Sequence, residues 1–118
     1  MSEPLNKVRQ AALELPETSE RVSHGQPSFF VAGKQFAQFR DNHHGDGRTV
    51  VCVRVSGLEE QMMLLEINPE IYSKPAYLPA WVSINLAGDD VDWDHVADRI
   101  AMSWELAAPR RLLEAGGR

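Results

Sequence analysis

The sequence predicts an α+β fold: an antiparallel sheet with N- and C-terminal helices packed on one face, forming a two-layer sandwich. Three observations carry that expectation. The chain has 118 residues, 43% hydrophobic and 25% charged, enough for one domain (1–118) with its own core and no staple. Apolar residues recur at helical spacing near both ends, whereas the middle alternates with a period of two. The strand-like runs before Gly57 are joined by short turn-rich links, not the helix-length crossovers that parallel strands require.

From Pro4 to Leu15, the residues Leu5, Val8, Ala11, Ala12 and Leu15 recur at three- and four-residue steps, predicting an amphipathic helix capped by Ser2 and ended by Pro16. Ser28-Phe-Phe-Val31 and Gln35-Phe-Ala-Gln-Phe-Arg40 flank Ala32-Gly33-Lys34, a hairpin pattern. Residues 41–48 are dense in turn formers and read as an exposed loop. A strand follows from Thr49 to Val55, with Val51, Val53 and Val55 on one face and Cys52 on the other. Gly57 breaks it, and a helix is expected over residues 58–67 with Leu58, Met62, Leu65 and Met63 toward the core, closed by Asn68-Pro69. Another strand is expected over residues 81–86, alternating Val82, Ile84 and Leu86 against Trp81, Ser83 and Asn85. The terminal helix starts near the N-cap Asp92, places Val96, Ile100 and Trp104 on one stripe, and is interrupted by Pro109 before a short turn at residues 110–115.

Charge narrows the function classes. Twelve Lys and Arg stand against 17 Asp and Glu, a formal net charge of −5, so no global cationic field draws the molecule to phosphate or to an anionic membrane. The excess is uneven: seven basic and eight acidic residues lie in 1–60, five and nine in 61–118. Its densest run, Asp89 to Asp98, sits at a helix start, where the macrodipole favours carboxylates, and lacks the spacing of a calcium loop. A lone Cys52 and the absence of C-x-x-C spacing predict no disulfide, no metal centre and a reducing compartment. His43-His44, on a Gly-rich loop, reads as a surface turn. No apolar run approaches a membrane span and the first residues do not form a signal peptide, so a cytoplasmic location with no membrane partner is expected. Neither nucleotide fingerprints nor the G-x-S-x-G and H-E-x-x-H motifs occur; the expectation is no enzyme and no cofactor.

Leu15-Pro16-Glu17, His24-Gly25-Gln26-Pro27-Ser28-Phe29 and Gly33-Lys34-Gln35-Phe36-Ala37, followed by Lys74-Pro75-Ala76-Tyr77, Trp81-Val82-Ser83-Ile84-Asn85-Leu86 and Trp104 to Leu112, together resemble the MmcQ/YjbR family, in order and over nearly the whole chain. The resemblance implies a CyaY-like, frataxin-type sandwich and DNA binding through strand hairpins that act as wings. In one place the chain departs from the pattern: Leu78-Pro79-Ala80 stands between Tyr77 and Trp81, where many relatives carry basic residues. The residues expected to meet nucleic acid are Lys34, Arg40, Lys74, Tyr77, Trp81, Arg110 and Arg111, cations interleaved with two aromatics able to stack on bases. The alternative is a groove in which Tyr77, Trp81 and the hairpin aromatics hold a small molecule or a protein partner, with His24 and Lys34 as polar handles.

Overall fold

The computed structural model describes residues 3–42, 45–76 and 78–115, so Ser2, the His43-His44 pair and Tyr77 lie outside the described residues. Among the described residues there are four helices and one sheet. In chain order they are α1 (Glu3–Leu13), β1 (Thr18–Ser23), β2 (Gln26–Val31), β3 (Lys34–Asp41), β4 (Thr49–Arg54), α2 (Leu58–Ile67), β5 (Tyr72–Ser73), β6 (Trp81–Asn85), α3 (Trp93–Ala107) and α4 (Arg110–Glu114). The six strands run in the order β1-β2-β3-β4-β6-β5, and every neighbouring pair is antiparallel.

Turn chemistry sets the register of the first three strands. His24-Gly25 and Ala32-Gly33 are two-residue links with positive φ at both positions, joining Ser23 to Gln26 and Val31 to Lys34. That is the I′ geometry whose twist matches a hairpin, and glycine takes its second position without strain. The β2–β3 pairing slips between Phe29 and Phe30, so Phe36 joins Ala37 on the core face. The bulge interrupts the β3–β4 bonding at Phe36 and Arg54, and α3 repairs it. The Ser103 hydroxyl donates to the Phe36 carbonyl at 2.6 Å and accepts the Arg54 amide N–H at 2.8 Å.

The core fills the space between one sheet face and the helices. Val8 and Ala12 of α1 and the stripe Val96, Ile100, Trp104 and Ala107 of α3 pack on Phe29, Val31, Phe39, Val51, Val53, Val82 and Ile84. Asp92 caps α3 by accepting the His95 N–H at 3.1 Å, and His95 in turn meets the Tyr72 hydroxyl, tying β5 to the helix. The Trp104 indole donates to the Pro16 carbonyl at 3.1 Å and anchors the turn after α1.

Three expectations need correction. The sequence pattern does not predict β1 and β5: β1 is a mostly polar edge strand and β5 has only two residues. α1 ends at Leu13, before the turn that leads into Pro16. On α2 the expected core face is reversed, since Leu58 is 61% exposed, Met62 56% and Met63 48%, while Gln61 is buried. Gln61 Nε2 donates 2.8 Å to the Trp81 carbonyl, docking the helix on the strand that begins there. Leu64 and Leu65 reach the core only in part.

Candidate functional site

Among the described residues no helix stripe packs on the second face of the sheet, which sets polar and charged side chains beside a small apolar cluster of Val50, Cys52 and Trp81. Strand register aligns Arg21, Ser28, Gln38, Cys52, Ser83 and Ser73 as one row across all six strands. Gln38 is its hub. Its Nε2 donates to Ser28 Oγ and to the Ser23 carbonyl, each at 3.1 Å, and its Oε1 accepts Arg40 Nε at 2.8 Å. Toward the loop end lies the row Arg40, Val50 and Asn85; toward the hairpin end Arg54 pairs with Trp81.

Cations on this face are held without being neutralised. The Arg21 guanidinium lies 4.0 Å from the Phe30 ring centroid and that of Arg54 4.9 Å from Trp81, cation–π contacts that fix a planar charge. Arg54 Nε also donates to the Gln35 carbonyl at 2.7 Å, and burial lowers the pKa of its guanidinium. Arg40, only 7% exposed, donates through Nη1 to the Ala76 carbonyl at 3.3 Å. Among the described residues the charged nitrogens of these three arginines, and those of Arg48 and Lys74, have no carboxylate within 4 Å.

Arg40, Arg48 and Lys74 line one cavity of about 220 Å³, with Asp46, Ser83 and the Pro75-Ala76 segment completing its walls. Its rim is built locally. Asn42 accepts the Gly47 N–H through its side chain, Asn42 N–H reaches the Arg48 carbonyl at 2.8 Å, and Asp46 accepts the Arg48 N–H at 2.9 Å. Beside the cavity Cys52 Sγ lies 3.5 Å from Ser83 Oγ, and burial pushes the thiol pKa up, so it stays protonated.

The YjbR family profile matches residues 13–106. The chain belongs to the YjbR family. Among solved structures, this YjbR chain resembles the crystal structure of the Deinococcus radiodurans protein DR2400, whose domain is DUF419. The TM-score is 0.73 at 18% identity, over 94% of this chain and 85% of that one. At that identity the likeness is one of fold. No curated protein matches the sequence. Among the described residues of this YjbR protein no helix is long and apolar enough to cross a membrane.

Of the residues singled out in the sequence, the structure brings Arg40 and Lys74 together. Lys34 is exposed at the β2–β3 turn. Arg110 and Arg111 belong to α4, on the helical side, and are already paired: Arg110 Nε with Glu114 at 2.7 Å, and Arg111 with both Glu17 carboxylate oxygens at 2.7 and 2.8 Å. Trp81 is on the outer face as expected but only 5% exposed, packed with Leu78, Cys52 and Val50 beneath Arg54. It therefore offers no ring to a base or a ligand. The sequence pattern does not single out Arg21, Arg48 or Arg54. Strand alternation could have found Arg54, since it shares parity with Cys52; Arg48 leaves no signal, because only the folded loop turns it to the cavity.

Proposed function

We propose that this YjbR-family chain is a non-enzymatic, cytoplasmic DNA-binding domain whose contact surface is the outer sheet face. The observation that carries the reading is the distribution of ion pairs. In a chain with five more acids than bases, carboxylates are plentiful, yet among the described residues the guanidiniums of Arg21, Arg40, Arg48 and Arg54 have none within 4 Å, whereas Arg9, Arg99, Arg110 and Arg111 each do; of the lysines, Lys74 on this face, Lys34 at the turn and Lys7 over the Trp93 ring make no such pair. Cations held in place by neutral oxygens and rings keep their charge for a partner, and a polyanion is the partner that several such charges on one face suit.

Fluorescence anisotropy with duplex and single-stranded DNA at two salt concentrations tests the reading. Phosphate contacts from Arg21, Arg48, Arg54 and Lys74, the cations of this face other than the buried Arg40, correspond to a slope of log K against log salt of about −3 to −4 on duplex, with nonspecific affinity of about 10⁻⁴ to 10⁻⁶ M. No binding at ~50 mM salt with ~100 μM protein sinks the proposal, because even nonspecific binders reach that range at higher salt.

A further inference from the structure

Arg40 poses a question that the extended surface leaves open. It is 7% exposed, its Nε and Nη1 are committed to the neutral oxygens of Gln38 and Ala76, and no described carboxylate lies within 4 Å. A buried charge is ordinarily paired, because neutral acceptors orient a guanidinium without offsetting the loss of its hydration. The structure points to a counter-charge that arrives from outside.

We propose that the cavity lined by Arg40, Arg48, Lys74 and Ser83 binds a phosphate monoester dianion, the group that ends a 5′-phosphorylated strand or a phosphorylated metabolite. The strand source rests on the DNA-binding reading above; the monoester chemistry rests on the cavity itself.

Charge, size and access select that group. Three cations and the single carboxylate of Asp46 line the cavity, leaving two positive charges. A phosphate monoester carries about −1.5 to −2 at neutral pH, whereas a bridging diester carries one negative charge. The cavity, about 220 Å³, is below the roughly 300–1,000 Å³ of sites that enclose a whole drug-sized ligand, so it suits one functional group and not an entire nucleotide. Of the three cations that line the cavity Arg40 is the buried one, at 7% exposed, whereas Arg48 and Lys74 are exposed. A diester inside a continuous strand is flanked on two oxygens and cannot enter end-on; a terminal phosphate presents three free oxygens to the cavity. The planar fork of Arg48 suits two of these oxygens in a bidentate fashion, and Arg40, whose Nε and Nη1 are committed, offers Nη2 to the third. Lys74 adds a point charge, and the Ser83 hydroxyl a neutral donor.

The test compares one oligonucleotide sequence with a 5′-phosphate and with a 5′-hydroxyl, by anisotropy on the whole chain, with a nucleoside 5′-monophosphate and inorganic phosphate as competitors. The expected result is about tenfold tighter binding of the phosphorylated strand, competition by the monophosphate, and loss of the preference in Arg48→Gln and Lys74→Gln. Both substitutions replace exposed side chains, which ordinarily leaves stability within about 0.5 kcal/mol, so they remain informative even if Arg40→Gln fails to fold. A saturable shift of the Arg40 Nε–H resonance on titration with the monophosphate is the matching direct readout. Equal affinity for the two strands with no competition overturns the cavity proposal and leaves the DNA reading standing. Binding of the monophosphate with no binding of either strand supports the cavity as a metabolite site and sinks the DNA reading.

Discussion

Strand β4 shows two different surfaces within six residues. Val51 and Val53 turn toward α3 and are fully buried in the core; Val50, Cys52 and Arg54 turn the other way, to Trp81, Ser83 and the outer row. The treatment of arginine differs just as sharply. On the helical side Arg9 meets Glu20 at 2.6 Å, Arg99 meets Glu60 at 3.5 Å, and Arg110 and Arg111 have carboxylates of their own. On the outer side Gln38, Ala76, Phe30 and Trp81 hold the guanidiniums instead. An ion pair closes a surface, since each charge satisfies the other; a ring or an amide oxygen leaves the charge on offer. On the DNA-binding proposal the helical face serves stability and the outer one recognition, and a set of substitutions can separate the two.

The largest effect is expected on the helical face. Trp104 is fully buried and its indole N–H reaches the Pro16 carbonyl, so Trp104→Ala is expected to destabilise the fold by about 3–5 kcal/mol in urea unfolding. A cost below about 1 kcal/mol would mean that the helical layer does not hold the sheet in the way the packing implies. Next comes Ser103→Ala. The hydroxyl serves both the Phe36 carbonyl and the Arg54 N–H at the bulge; removing it leaves two backbone groups unpaired, at about 1–3 kcal/mol each. Because the Arg54 side chain springs from that repaired position, the same variant is expected to weaken DNA binding. Unchanged binding in a destabilised Ser103→Ala protein would show the faces to be independent.

These elements are not equally legible in the sequence. The cap at Asp92, the α3 stripe and the Ala32-Gly33 hairpin follow from local rules and stand where those rules place them. β1 escapes because Thr18-Ser-Glu-Arg-Val-Ser23 shows no clear apolar alternation; its pairing is imposed by the His24-Gly25 turn and the neighbour it meets. The reversed α2 is a tertiary outcome that periodicity does not show: Gln61 is buried and donates to the Trp81 carbonyl, while Leu58, Met62 and Met63 stay exposed. The candidate site is half legible. Arg40 and Lys74 are recognisable as cations and Arg110 has Glu114 four residues on, but nothing local shows that the chain after β5 folds back to bury Arg40, or that α4 hands Arg111 to Glu17.

A third substitution pair sharpens the comparison from the outer side. Arg48→Gln with Lys74→Gln removes two exposed charges that make no ion pair among the described residues. Stability is expected to stay within about 0.5 kcal/mol of the parent. The salt slope for duplex DNA, in contrast, is expected to become shallower by about 2, near 0.9 for each phosphate that the protein no longer neutralises. A change in stability with no change in slope would reverse the assignment of the two faces.

The smallest effect belongs to Arg111→Gln, and pH reveals it. Hydrogen bonding from the Arg111 guanidinium holds the Glu17 carboxyl below its ordinary value of 4.5. A carboxyl whose pKa is depressed in the folded state contributes stability above its unfolded value, and that contribution is lost as pH falls through the folded one. Parent and variant should therefore differ slightly in urea midpoint near neutral pH and converge well below pH 4.5. Both side chains are solvent-exposed, so salt should shrink the difference further. DNA affinity should not move at all. Of the basic residues first expected to touch nucleic acid, Arg111 is one whose charge the fold has already spoken for, and a loss of binding in this variant would show that the ion-pair criterion fails to separate structural arginines from recognising ones.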